Sequence, residues 1–432
     1  MAEVPSGEIG KLCWKECKKR PVAWMRSAGS NQDLALLEKE SYTTVLIWEE
    51  HPMRICTVVI VVLGAVAAGQ LFAAEDSSSG ESTSLYFPPR QGRWERIEPA
   101  KAGWNAAKLD GVLEFAGKHK SSGIVVLYRG RILAERYWDL KPKATLLNKQ
   151  RNRYFYMVHG KDSAGHVIED VASVQKSVVS VLTGIAQHEG FLKVNDPVSK
   201  YLGEGWSKAP RDAEAKVTLR HLLTMSSGLN NKLEYEAPAG TKWRYNTAAY
   251  SHTLRAVSAA SQMEPNELTR KWLTGRIGMD DSCWVERPWS KGREEAANTV
   301  GFATTARDLA RFGLLILAEG VWDEKIVIED RQYLRTALRP SQELNPSYGY
   351  LWWLNGQQSV RRGNGSRRMK GPLIQDAPED LVAGLGALGR KVYVAPKQKL
   401  VVTRLGDNPN TSGKVTFDAE LWRLLMAAAP KD

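Results

Sequence analysis

The sequence predicts an α+β protein: an antiparallel sheet built from N- and C-terminal segments, flanked by helices, with a mostly helical second lobe. Three observations predict it. Residues 123–138, GIVVLYRGRILAERYW, hold two β-rich runs around Arg129-Gly130, the pattern of a hairpin. Apolar residues recur at helical spacing in several stretches between 173 and 319. The period then changes, and KVYVAPKQKLVVTR over 391–404 reads as two strands around Pro396 and a polar turn.

Taken in chain order, residues 55–69 are a largely apolar run preceded by Met53-Arg54 and followed by QLFAAEDSSSG. Charge, apolar core and small-residue ending are the order of a secretory signal peptide, and the run is short for a membrane span. The segment 53–74 is read as a signal peptide starting at Met53, which makes residues 1–52 a doubtful N-terminal extension. The competing reading is a signal anchor that holds the chain to a membrane and leaves 52 residues as a cytoplasmic tail. Either way residues beyond 75 are expected outside the cytoplasm, periplasmic or secreted. Residues 75–104 are rich in Ser, Pro and Gly at their start and read as a linker to a domain over 105–432.

After the hairpin and a long polar stretch, SVQKSVVSVLTGIAQHEG (173–190) has apolar residues at Val174, Val178, Val181, Leu182 and Ile185, with Gly190 as its stop: a buried helix. A short helix is expected over 217–229, closed by Gly228, and others over 247–262, 266–275, 304–319 and 415–428.

Composition narrows the function. The chain has 432 residues, 43% of them hydrophobic and 25% charged, so fibrous and disordered classes drop out. Fifteen Trp suggest large aromatics packed around a cleft. Lys and Arg exceed Asp and Glu by 60 to 48, and the excess falls after residue 74. The basic residues are spread along the chain, which argues against nucleic acid; the densest patch, RRGNGSRRMKG at 361–371, reads as a solvated loop rather than an anion site. Four cysteines, Cys13, Cys17, Cys56 and Cys283, imply no disulfide framework, and Cys13 with Cys17 lacks the second ligand pair of a zinc site.

Ser173 and Lys176 form Ser-x-x-Lys at the start of the buried helix. Positions i and i+3 share a helix face, so the amine can reach the hydroxyl. A serine needs a base to become a nucleophile, and a lysine desolvated among apolar neighbours can lose its proton and serve as one. Alone the tetrad is weak, since average usage gives on the order of one such match by chance in a chain of this length.

The rest of the chain adds weight. SVQKSVVSVLTGIA, NDPVSKYL, VTLRHLLTMSSGL, PAGTKWRYNTAAYSHTL, GFATTARDLARFGLLIL, GYLWWLNG and GLGALGRKVYVAPKQKLVVTRLGD follow one another in an order that resembles the serine β-lactamase and penicillin-binding-protein superfamily, in particular class C β-lactamase-like hydrolases and esterases. The resemblance spans about residues 105–428 and implies a β-lactamase/transpeptidase-like fold. It implies Ser173 as nucleophile, Lys176 as base, and Tyr245 as the tyrosine of a Tyr-x-Asn element that relays the proton to the leaving group. The third element, Lys-Thr-Gly or a variant on an edge strand, falls on Gly384-Leu385-Gly386, with Ala387 next. The backbone N–H groups of Ser173 and Ala387 would then form the oxyanion hole, with Gly386 and Thr247 at the substrate.

Two departures matter. Thr247 stands where the family usually has Asn, and Gly384 where β-lactamases and peptidases have the lysine that helps hold a substrate carboxylate. Arg390 or the 361–370 cluster are the candidate substitutes. The expectation is an exported serine hydrolase for a small ester or amide, of the kind that resembles 6-aminohexanoate-dimer hydrolase, working through an acyl-enzyme. Neither a cofactor nor a metal is implied. The alternative is a catalytically silent or penicillin-binding relative that binds cell-wall peptide. No Gly-x-Ser-x-Gly or His-Glu-x-x-His motif is present, and His188 and His221 are expected to be structural.

Overall fold

The computed structural model describes residues 84–141, 154–287, 298–363, 367–409 and 415–431. The expectations for 1–52, for the signal or anchor segment 53–74, and for Cys13, Cys17 and Cys56 lie outside the described residues. Among the described residues no helix is long and apolar enough to cross a membrane.

The predicted hairpin is β1 (Ser121–Tyr128) and β2 (Arg131–Tyr137), joined by Arg129 (φ 51°) and Gly130 (φ 83°). Two positive φ values make the tight turn whose twist suits paired strands. Further along come β3 (Val158–Lys161), β4 (Val167–Asp170), β5 (Cys283–Glu286), β6 (Val300–Thr304), a small hairpin of β7 (Val321–Trp322) and β8 (Lys325–Ile326), β9 (Trp353–Leu354), β10 (Ser359–Val360), β11 (Met369–Lys370), β12 (Val382–Leu385), β13 (Lys391–Ala395) and β14 (Leu400–Gly406). The main sheet has the order β2-β1-β14-β13-β12-β9, antiparallel throughout, so the first and last strands of the chain pair at its centre. As expected, N- and C-terminal segments build it.

The helices that bear on the sheet and the site are α1 (Ala106–Lys118), α2 (Gln175–His188), α3 (Thr247–Ser261), α4 (Ala306–Leu317) and α5 (Phe417–Ala428). Asn105, Asn246, Thr305 and Thr416 cap α1, α3, α4 and α5, each side chain accepting an otherwise orphaned N–H. Val392 and Val394 face α4, which comes close because Gly313 has no side chain: a Cβ there would stand 2.4 Å from Val401. Tyr393 points the other way, its hydroxyl donating to Asp418 of α5 at 2.8 Å and its ring edge-on to Trp422. The sheet is therefore covered on both faces, which is why β14 is buried along its whole length.

Two expectations need correction. Residues 84–104 are packed on the domain rather than strung out as a linker. Trp94 and Trp104 are buried, the Trp94 indole donates to Gly130 O at 2.9 Å, and Ile97 and Glu95 exchange backbone bonds with Ile132. Within the mostly helical second lobe there is also a four-stranded sheet, β3-β4-β6-β5. Its strands are four or five residues long and β6 is buried on both faces, so no alternation marks it in the sequence. The helix expected over 217–229 is one turn, Leu219–Leu223; Met225 turns left-handed (φ 59°), and Gly228 lies in a loop where a Cβ would strike Ala237 O. The third element lies along an open edge: two-residue β9 covers β12 only at Val382 and Ala383, and Gly384-Leu385 run past that cover.

Candidate active site

Strand β4 delivers Asp170, and five residues later the chain enters α2. Between them Ala172 takes a left-handed conformation (φ 51°), held by Asp170 Oδ1, which accepts the Ala172 N–H at 2.8 Å. A non-glycine residue in this region is strained, and such strain collects at functional turns. The turn lifts Ser173, which is half-exposed while its neighbours Ala172 and Val174 are buried.

Lys176 faces Ser173 from the first turn of α2, its Nζ 3.1 Å from Ser173 Oγ. The side chain is 2% exposed, and its Nζ lies 4.3 Å from the ring centre of Tyr250 and 5.1 Å from that of Tyr245. Burial, assisted by the nearby Arg287 charge and opposed by Asp170, brings its pKa down to about 7. An amine at that value is half unprotonated near neutrality and can accept the serine proton.

Tyr245 closes the other side. Burial pushes its phenol up to about 12, against a hydrogen bond with Ser173 that works the opposite way, so it stays protonated. It is placed by the loop before α3. Arg244 N donates to Met225 O, its guanidinium pairs twice with Glu236, and Asn246 Nδ2 donates to Leu229 O and Asn230 O. Trp353 stacks on the phenol ring.

The end of β12 forms the remaining wall. Gly386 passes so close to the serine turn that a Cβ would stand 2.4 Å from Val171 O, which explains the glycine. Its N–H is committed to Arg390 O at 2.8 Å, so the residue after it, Ala387, is the one placed to offer an N–H to the cleft. Ser173, Tyr245, Gly386 and Ala387 line a cleft of about 240 Å³ with Trp353, Leu373, Leu385, Arg362 and Gly363.

Five of the six expected residues thus meet at one place: Ser173, Lys176, Tyr245, Gly386 and Ala387. Thr247 is the first residue of α3 and is not among the cleft-lining residues. Asn246, beside it, caps α3 and ties down the 229–230 loop. Arg390 is not a substrate anchor. It is fully buried in an ion pair with Glu169 at 2.9 Å, and that carboxylate also accepts from Tyr154, Ser122 and Gly406. Nothing local to either residue signals this pairing, because Glu169 is 221 residues from Arg390. From the basic stretch it is Arg362 that reaches the cleft, with Nη2 donating to Leu373 O; Asn364, Gly365 and Ser366 lie outside the described residues. Gly384 faces away from the cleft opening, its missing Cβ directed at Val174, Ser177 and Val392. His221 caps its own helix with Thr218, and His188 lies exposed on the surface. No group of three or more metal-ligating side chains occurs among the described residues.

The family model for beta-lactamase matches residues 114–427. An uncharacterised protein of Alkalihalophilus pseudofirmus is 24% identical over 321 residues, covering 69% of this chain and 86% of that protein. Among solved structures, a Bacillus anthracis protein provisionally described as a 6-aminohexanoate-dimer hydrolase superposes with a TM-score of 0.54 at 16% identity, over 79% of this chain and 89% of its own. A Bacteroides dorei protein provisionally described as a beta-lactamase gives 0.54 at 16% identity, over 75% and 99%. Such identities speak for the fold alone. With the family match spanning most of the chain and the Ser173, Lys176 and Tyr245 side chains converging at the foot of β12, the chain belongs to the beta-lactamase family, within the serine β-lactamase and penicillin-binding-protein superfamily.

Proposed function

We propose that this protein is an exported serine hydrolase that cleaves small, neutral esters or amides through an acyl-enzyme. The observation that carries the reading is the buried Lys176 amine, 3.1 Å from Ser173 Oγ and with its pKa brought down to about 7. Ser173 Oγ attacks the carbonyl carbon while Lys176 Nζ takes its proton. The negative oxygen that forms is met by the Ser173 and Ala387 N–H groups. Tyr245 gives a proton to the leaving alcohol or amine as the tetrahedral centre collapses, and water then releases the acid by the same route in reverse. The substrate class is supported by the apolar lining from Trp353, Leu373 and Leu385. Export is supported by the order of charge, apolar run and small residues over 53–74.

A fluorophosphonate probe tests the chemistry. Mass spectrometry should find the adduct on Ser173, and Ser173→Ala should abolish p-nitrophenyl butyrate hydrolysis while the protein stays folded. Unchanged turnover in Ser173→Ala would refute the mechanism. For export, secreted material should begin near Glu75 and contain no peptide from 1–52; peptides from that region would establish the anchor instead.

A further inference from the structure

Behind the serine turn lies a buried pair of charges that the reaction scheme leaves unused. Asp170, the last residue of β4, and Arg287, just after β5, have side chains 0% and 2% exposed. The guanidinium donates to both carboxylate oxygens, Nε to Oδ2 at 2.7 Å and Nη2 to Oδ1 at 3.0 Å. Room for the carboxylate comes from Gly301 of β6, where a Cβ would stand 2.1 Å from Oδ2. Arg287 also donates to Gln175 Oε1 at 2.9 Å and to Asn298 O and Oδ1. Gln175 in turn accepts from Phe302 N and donates to Val300 O. The pair therefore joins β4, β6 and the segment after β5 to residues on both sides of Ser173. Two of these links act on the site itself: Asp170 holds Ala172, and Gln175 precedes Lys176.

Burying such a pair is costly, and apolar residues of the same volume often serve stability as well or better. Its placement suggests another use. The titratable groups facing Lys176 are Ser173 on its own turn, Tyr245 from the loop before α3, Tyr250 from α3, Asp170 from β4 and Arg287. Burial raises both tyrosines, so they stay neutral, and the ionised neighbours are the two members of the pair. After burial, Arg287 is the main influence pushing the Lys176 proton off, with Asp170 acting against it.

We propose that the Asp170–Arg287 pair is a positioning element of this active site, in which Asp170 fixes the Ala172 turn that presents Ser173 and Arg287 holds a fixed positive charge against the Lys176 amine. The inference rests on reading Lys176 as the base. Arg287 touches neither substrate nor the reacting atoms in this scheme; it acts through Lys176.

The test is a nitrogen-15 NMR titration of the full chain labelled in lysine, with the Lys176 signal identified by its loss in Lys176→Met. Arg287→Gln removes the repelling charge and should move the Lys176 midpoint upward by roughly one pH unit or more. Arg287→Lys should bring it back towards the natural value. Asp170→Asn keeps an acceptor for Ala172 N, removes the attracting charge, and should move the midpoint downward. Opposite shifts from two substitutions in one ion pair do not arise from a shared loss of structure. A midpoint unmoved in either variant, or moved the same way in both, overturns the proposal. Where one variant does not fold, the sign in the other decides. The amine is read without substrate, so failure of the natural protein to hydrolyse esters would sink the proposed function and leave this measurement valid.

Discussion

The indole of Trp353 lies parallel to the phenol of Tyr245, with ring centres 5.8 Å apart and planes 22° from one another. Trp353 belongs to the sheet, on β9, while Tyr245 belongs to the loop entering α3. The stack holds the ring whose hydroxyl bonds Ser173. Tyr245→Phe preserves the stack and removes the proton. It should lower kcat on p-nitrophenyl butyrate on the order of 100-fold with little change in KM. Trp353→Leu keeps the hydroxyl but frees the ring and widens the cleft, so it should raise KM as well. Steady-state kinetics of the two variants separate these effects, and a Tyr245→Phe enzyme at the natural rate would remove Tyr245 from the mechanism.

The lowered pKa of Lys176 sets the pH dependence. Below about 7 the amine is protonated and has no lone pair to offer, so kcat/KM should rise through an apparent pKa near 7 and then level. Lys176→Arg should be nearly inactive, because a guanidinium stays charged. Stability has its own sign. The unfolded chain holds the lysine proton up to roughly pH 10.4 while the folded one releases it near 7, so unfolding binds a proton in that window and this group's contribution makes the protein more stable as pH rises through it. Lys176→Met should therefore raise Tm at pH 7 while abolishing turnover, a result read directly by calorimetry.

At the foot of β12 the two glycines predict different outcomes. Gly386→Ala would push a methyl group against Val171 O and shift the turn that carries Ser173; it should cost about 1–3 kcal/mol of stability and most of the activity. Gly384→Lys would restore the residue type that β-lactamases carry there, yet its Cβ would meet Val392, Ser177 Oγ and Val174 at 2.9 to 3.1 Å. We expect no gain in nitrocefin turnover from it. In the natural protein kcat/KM for nitrocefin should fall below that for p-nitrophenyl butyrate. Nitrocefin turnover at or above the ester rate, lost in Arg362→Gln, would show that Arg362 anchors a carboxylate and that the neutral substrate class is wrong.

What could be read beforehand followed from distance along the chain. The hairpin turn, the helical face shared by Ser173 and Lys176, and the change of period at 391 are local, each contained within a few turns or one strand pair. The Tyr245 and Gly386 assignments came through resemblance, since nothing near either residue reveals that it meets Ser173. Pairings made only in three dimensions stayed hidden. Arg390 looked available for a substrate until Glu169 was seen to hold it, and Arg287 carried no signal at all because its partner lies 117 residues away. Trp94 and Trp104 were an overlooked cue: two large apolar rings in a supposed linker would be exposed to water unless that segment packed.

The pairing of β1 with β14 has a consequence for how the molecule is made. Ser121–Tyr128 finds its neighbour in Leu400–Gly406, so the middle of the main sheet stays open until residues 400–406 have left the ribosome. Contacts so distant in sequence form slowly, because a long loop must close before any of them is rewarded. Assembly of the sheet, and with it the strand wall that faces Ser173, therefore waits for that last segment.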